Sequence, residues 1–179
     1  MAKSPNLVWI DLEMTGLEPD KDKILEIATI ITDYTLNIIA EGPVIVINQE
    51  KSILDNMNEA VYKMHSGSGL LKKIEEFATT IAQAEEATLS FIKKFVKEGE
   101  SPLCGNSIWQ DKQFLQRYMP TLNNYFHYRI VDVSTVKILA KGWFPALPEF
   151  IKNKNHRALD DIKESIEELK FYRKNVFKN

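Results

Sequence analysis

Cysteine is nearly absent from this chain of 179 residues, with Cys104 the only one. An intramolecular disulfide is thereby excluded, as is a thiolate cluster for zinc, and a reducing compartment is implied. Leu103 and Gly105 flank it, which marks a small buried residue rather than a nucleophile. Long apolar runs are also missing. No stretch approaches the length that crosses a bilayer, and Met1-Ala2-Lys3-Ser4-Pro5 lacks the apolar segment of a secretory signal. The chain is therefore expected in the cytoplasm, with no membrane partner. Nor is there an excess of positive charge. The 23 Lys and Arg face 25 Asp and Glu, a formal net charge of −2. Long duplexes are gripped by basic faces, so a long duplex nucleic acid is not the expected partner, while a short or locally held one remains open. Repeats, low-complexity tracts and linker-like stretches are absent too. Residues 1–179 are expected to form a single domain, large enough to close a core without staples.

One stretch stands out from this plain background. Leu7-Val8-Trp9-Ile10 runs straight into Asp11-Leu12-Glu13 and then meets Thr15-Gly16. An apolar run of this kind predicts a buried central strand. Strand side chains alternate, so Asp11 and Glu13 project from the same side. Two like charges near a core repel, and burying them without a counter-charge forces one to stay protonated. A bound divalent cation removes both problems, so the pair reads as half of a metal site. The alternative is two acids solvated as the chain enters a turn.

The remaining elements frame that strand. Residues 24–32 and 36–48 are rich in Ile and Val, separated by Asp33-Tyr34-Thr35 and interrupted by Gly42-Pro43. With the first strand they predict a three-stranded antiparallel meander. Thr80 and Gln83 predict a capping box, followed by an apolar stripe of Ile81, Leu89, Ile92, Phe95 and Val96 and a stop at Gly99. A short strand over 102–105 feeds a helix over 109–118, closed by Pro120. Another strand is expected over 128–133, then a helix through Leu139, a loop over 143–148, and a last helix from Ala158 into the 170s. Strands first, then strands alternating with helices, give an α/β fold around one mixed sheet, an antiparallel meander plus parallel strands flanked by helices.

Further acids fall where a metal site needs them. Asp111 closes Gly105-Asn106-Ser107-Ile108-Trp109-Gln110-Asp111 at a strand-to-helix junction, a place where an acid also serves as a cap or dipole partner. On the last helix, Ala158, Leu159, Ile162, Ile166 and Leu169 make the apolar face. At about 100° per residue Asp160 falls nearly opposite that face and Asp161 at its edge. A ligand has to point toward the core-side cleft, which favours Asp161 and leaves Asp160 to solvent. His156, just before the helix, is free to reach the same cleft, with a surface or capping role as its alternative. Hard oxygen donors suit Mg²⁺ or Mn²⁺ rather than zinc. Two such ions about 4 Å apart hold the attacking and leaving oxygens of an in-line phosphoryl displacement. His156, with an ordinary pKa of about 6.5, would take the proton of the attacking water.

Asp11-Leu12-Glu13, Asp111, and His156 followed by Asp161 resemble the three motifs of the DEDDh superfamily of 3′-to-5′ exonucleases, which has a ribonuclease-H-like fold. Longer stretches resemble one branch of it, which finishes RNA decay. They are Trp9-Ile10-Asp11-Leu12-Glu13-Met14-Thr15-Gly16-Leu17, the segment from Gly105 to Asp111, His127-Tyr128-Arg129, Asp132-Val133-Ser134-Thr135, and His156-Arg157-Ala158-Leu159-Asp160-Asp161. The resemblance implies a 3′-to-5′ exoribonuclease that cuts very short RNAs, chiefly dinucleotides, to 5′-mononucleotides. It implies Asp11, Glu13, Asp111 and Asp161 as ligands of two Mg²⁺ or Mn²⁺ ions, His156 as general base, and Tyr128 as a further active-site residue. It also implies a homodimer whose subunits both contribute to each site. Leu17 would lie against the bases, and His65, Ser107, Arg129, Ser134 and Thr135 would hold the 5′-phosphate. A bidentate Arg with two hydroxyls suits a terminal phosphate dianion.

Each of these has a plainer role beside it. Ser134 and Thr135 follow a strand as helix caps do, Arg129 can pair with a surface acid, Leu17 can be ordinary packing, and Tyr128 can be an interface residue. Asp132 reads as structural. Lys170, Arg173, Lys174 and Lys178 read as a solvated face, with Phe171, Tyr172 and Phe177 packing on the domain or a partner subunit. The alternatives to the family branch are another DEDDh enzyme (DNA proofreading or tRNA trimming) and a catalytically idle nucleic-acid-binding module. The idle module predicts a missing ligand or histidine, and none is missing.

Overall fold

In the computed structural model, which describes residues 6–76, 79–151 and 157–177, the apolar run near the N-terminus lies inside the sheet. Strand β1 (Leu7–Met14) has β2 (Ile24–Thr32) antiparallel on one side and, further along the chain, Pro102–Gly105 parallel on the other. Strands β3 (Ile38–Glu41) and β4 (Ile45–Val46) both pair antiparallel with β2. With Pro102–Gly105 as β5 and the parallel edge strand β6 (His127–Asp132), the sheet is six-stranded and mixed, ordered β3-β2-β1-β5-β6 with β4 also on β2. Every residue of β2 is buried, as befits a strand covered on both faces.

The strand expected over 36–48 is two strands. At Gly42 a Cβ would come within 2.7 Å of the Phe91 ring and 3.0 Å of the Thr29 carbonyl, and Pro43 has no N–H to give a ladder. So β3 pairs with the end of β2, from Ile30 to Thr32, and β4 with Glu26 and Ile27 near its start. Helices α1 (Lys51–Asp55), α2 (Glu59–Gly67) and α3 (Leu70–Glu76) precede α4 (Ile81–Ile92). The first three escape periodicity analysis because they are short and largely exposed.

Helix α4 opens with the Thr80–Gln83 capping box but ends at Ile92, not at Gly99. Phe95 and Val96 therefore pack from the turn that follows. After α5 (Trp109–Tyr118), Pro120 starts α6 (Pro120–Tyr125) rather than only ending its predecessor. Helix α7 (Val133–Trp143) continues past Leu139, and α8 (Ala158–Asn175) closes the order.

The alternation of β1 sorts the core into layers. Val8, Ile10 and Leu12 pack with Leu89 and Ile92 of α4, Phe114 and Leu115 of α5, and Leu122 of α6. Leu7 and Trp9 pack with Ala28 and Ile30 of β2, Ala140 of α7, and Ala158, Ile162 and Ile166 of α8. A smaller cluster joins Leu25 and Val46 to Leu70 and Ile74 of α3. By the same alternation, Asp11 and Glu13 continue the face of Leu7 and Trp9, toward the layer that holds α8. Cys104 is fully buried, and burial pushes its thiol pKa up. Among the described residues no helix is long and apolar enough to cross a membrane.

Candidate active site

Strand β1 outruns its parallel neighbour. Pairing with β5 covers only Val8 and Trp9, so the end of β1 that carries the acids opens into a cleft. One carboxylate oxygen from each of Asp11, Glu13 and Asp161 lies within 4.8 Å of the others. Asp161 is in the first turn of α8, and its N–H donates to the Arg157 carbonyl at 3.0 Å. Asp160 stands outside this cluster and is half-buried rather than fully solvated. Asp111, buried in the first turn of α5, takes the N–H of Leu12 on its Oδ1 at 2.9 Å. It is a further wall of the same cleft of about 400 Å³, which Asp11, Glu13 and Asp161 also line.

Glu13 pays electrostatically for this placement. Burial pushes its pKa up to about 8, and the charges of Asp161 and Glu26 push the same way, while Arg157 pulls it back. Asp111 is also raised, first by burial and then by Asp132, against the stabilising Leu12 N–H. Three hard oxygen donors this close, with Glu13 reluctant to ionise beside them and Asp111 raised by burial in the cleft wall, fit the use of a divalent cation, whose charge offsets these penalties.

Two residues missed by the sequence reading stand behind the cluster. Glu26 lies opposite Glu13 in the β1–β2 register and is fully buried. Its carboxylate accepts from both prongs of Arg157 (Nε to Oε2 at 3.1 Å, and Nη2 to Oε1) and from the Ala158 N–H at 3.2 Å. A lone acid in an apolar strand does signal a buried partner. What the sequence does not signal is that the partner lies 131 positions away.

The other expected site residues fall into separate places. His65, on α2, is fully buried. Its Nε2 donates to the Met14 carbonyl at 2.8 Å, and its Nδ1 is 3.8 Å from Glu13 Oε2. Leu17 is 68% exposed and lines the cleft, with its carbonyl accepting from Gln110 Nε2 at 2.6 Å. Ser107 lines the cleft as well, in a left-handed conformation (φ 55°) that a non-glycine residue holds only when pinned. The pins are Asp132 Oδ1 at 2.9 Å and Ser134 Oγ at 2.8 Å, both accepting from the Ser107 N–H. Asp132 Oδ1 also takes the Ser134 N–H and hydroxyl, so it ties the ends of β5 and β6 together. Tyr128, Arg129 and Thr135 are exposed on β6 and the first turn of α7 and do not line the cleft. Arg129 lies over the Tyr128 ring at 5.0 Å. His156 lies outside the described residues.

Known proteins converge on the same class. The family model described as Exonuclease matches residues 8–169. E. coli exonuclease I, solved in its zinc-bound form with single-stranded DNA, shares the fold with a TM-score of 0.74 over 97% of this chain at 16% identity. The moderately thermophilic exonuclease I from Methylocaldum szegediense gives 0.71 over 96% at 18%. This chain spans only 41% of either protein. The family match, with the shared fold, thus places this chain among the exonucleases.

Closer relatives narrow the class. A Haemophilus ducreyi protein named oligoribonuclease is 54% identical over 97% of this chain and 95% of its own length. Its namesake in Pseudomonas syringae pv. syringae is 56% identical, with 99% of each covered. This chain belongs to the oligoribonuclease family.

Proposed function

We propose that the protein hydrolyses short RNA from the 3′ end, chiefly dinucleotides, to 5′-mononucleotides, the final step of RNA degradation. The observation that carries this reading is the meeting of Asp11, Glu13 and Asp161 at one point of a cleft walled by Asp111. The names and identities of the relatives support RNA as the polymer and short length as its limit. In this reading the whole chain works as one exonuclease domain in the cytoplasm, in keeping with the matched span and the single buried cysteine.

The four acids would hold two divalent cations, Mg²⁺ or Mn²⁺. Bound there, such ions lower the pKa of water and stabilise charge on the attacking and leaving oxygens. The remaining work falls to the chain itself. His156 accepts the proton of the attacking water, and Tyr128 completes the catalytic group. Leu17, exposed at the cleft, packs against the bases. Ser107, Ser134, Thr135 and Arg129 hold the 5′-phosphate, and capping that end excludes longer chains. His65 is assigned to the same phosphate on the resemblance; in this conformation its ring is buried against Met14.

Tyr128, Arg129 and Thr135 stand away from their own cleft, which favours a homodimer in which a second copy supplies part of each site. Exposed Tyr128 (73%), Ile138 (70%) and Trp143 (67%) on β6 and α7 offer the apolar surface such a contact needs.

The nearest rival is another DEDDh exonuclease acting on DNA. Steady-state hydrolysis of an RNA dinucleotide and of a long single-stranded DNA separates the two. The dinucleotide is expected to react about 100-fold faster in kcat/KM, roughly the worth of one charge-assisted phosphate contact made only by a short substrate. A preference for the long DNA would select the rival.

A further inference from the structure

We infer that Glu26 and Arg157 are positioning residues for cation binding: they fix the start of α8, and with it Asp161, against the sheet, and they keep the Arg157 guanidinium off Glu13. This inference rests on the metal reading given above. Three contacts meet on the Glu26 carboxylate, two from the Arg157 fork and one from the backbone of Ala158, the first residue of α8. Asp161 follows within one turn, hydrogen-bonded back to the Arg157 carbonyl at 3.0 Å. A helical turn is stiff, so whatever holds Arg157 and Ala158 also sets where the Asp161 carboxylate stands relative to Asp11 and Glu13.

The same pair carries an electrostatic duty. Glu26 is the direct cross-strand neighbour of Glu13. The charges of Glu26 and Arg157 both reach Glu13, in opposite directions. A guanidinium and a divalent cation compete for the same oxygens. With both prongs engaged by Glu26, the guanidinium is satisfied in a fixed plane and Glu13 stays available to the cation. A neutral side chain at position 26 would leave the guanidinium short of a counter-charge, with Glu13 the adjacent carboxylate.

Mn²⁺ binding measured by calorimetry on the full chain, alongside melting temperature in EDTA, tests this. Glu26→Gln is expected to weaken Mn²⁺ binding about tenfold or more, the usual cost of losing an outer-shell partner. The double variant Glu26→Gln/Arg157→Gln removes both charges, keeps an amide pair, and is expected to recover affinity to within about threefold of wild type. Arg157→Lys keeps the charge but loses the fork, and serves if Glu26→Gln does not fold; its Mn²⁺ affinity is expected to fall several-fold. Wild-type Mn²⁺ affinity in Glu26→Gln, with or without a lower melting temperature, would make the pair purely structural and overturn the proposal. A double variant as weak as the single would overturn the guanidinium part. A wild-type protein that binds no Mn²⁺ would instead bring down the metal reading, and this inference with it.

Discussion

Asp11→Ala and Asp161→Ala should each lose at least about a thousandfold in turnover of an RNA dinucleotide, a barrier increase of roughly 4 kcal/mol, while the protein stays folded. Both side chains belong to the carboxylate cluster whose oxygens lie within 4.8 Å of one another. Each removes a charge from a site where like charges repel and Glu13 is already pushed up to about 8. Melting temperature in EDTA should therefore hold or rise, which separates loss of chemistry from loss of fold. Asp160→Ala is the internal control. Asp160 stands outside the cluster, and its removal should change turnover by no more than a few-fold, because it gives no oxygen to the site. An inactive Asp160→Ala beside an active Asp161→Ala would show that the helix face was misassigned.

The second large effect concerns pH and metal together. The ordinary pKa of 4.5 for Glu13 rises to about 8 in the fold, with burial the first cause and Asp161 the next. Between those values the native state binds more protons at this group than the unfolded chain does. The slope of stability with pH is then negative: the contribution is intact below about 4.5 and is lost as pH rises through about 8. Melting temperature in EDTA should accordingly fall across that window, to the extent that Glu13 dominates it. Divalent metal reverses the trend, because a cation replaces the proton. Mn²⁺ affinity should rise with pH over the same window, by up to about tenfold per pH unit for each proton displaced. Thermal melts and Mn²⁺ titrations at several pH values read both quantities. Mn²⁺ affinity that stays flat from pH 5 to 8 would contradict the assignment of Glu13 as a ligand.

Much of this site is legible in the sequence because it rests on short-range geometry. Alternation along a strand puts Asp11 and Glu13 on one face, and the structure shows that face turned toward α8. Helical angle alone prefers Asp161 to Asp160. Asp111 is different. An acid at a helix start has ordinary uses, and its link to β1, the hydrogen bond to the Leu12 N–H, spans 99 positions. Long-range pairing also hides Glu26 and Arg157, and it hides what the structural Asp132 holds: its carboxylate gathers Ser107 from the loop after β5 to Ser134 in the first turn of α7.

Elements with weak periodicity are lost for another reason. Helix α2 is nine residues long with one buried side chain, His65, yet it brings Val61 and Met64 to the cleft wall. The split of the third strand at Gly42 depends on how close Phe91 and Thr29 approach. Hydrophobic pattern does not encode that approach.

The most direct test of the proposed function is hydrolysis of 5′-phosphorylated RNAs two to seven nucleotides long, in Mn²⁺ and in EDTA. Cleavage that is fastest at the dinucleotide, declines with length and disappears in EDTA is the expected result. Metal-dependent cleavage that grows with length would keep the exonuclease chemistry and contradict the dinucleotide substrate. Cleavage undiminished by EDTA would contradict the metal site itself.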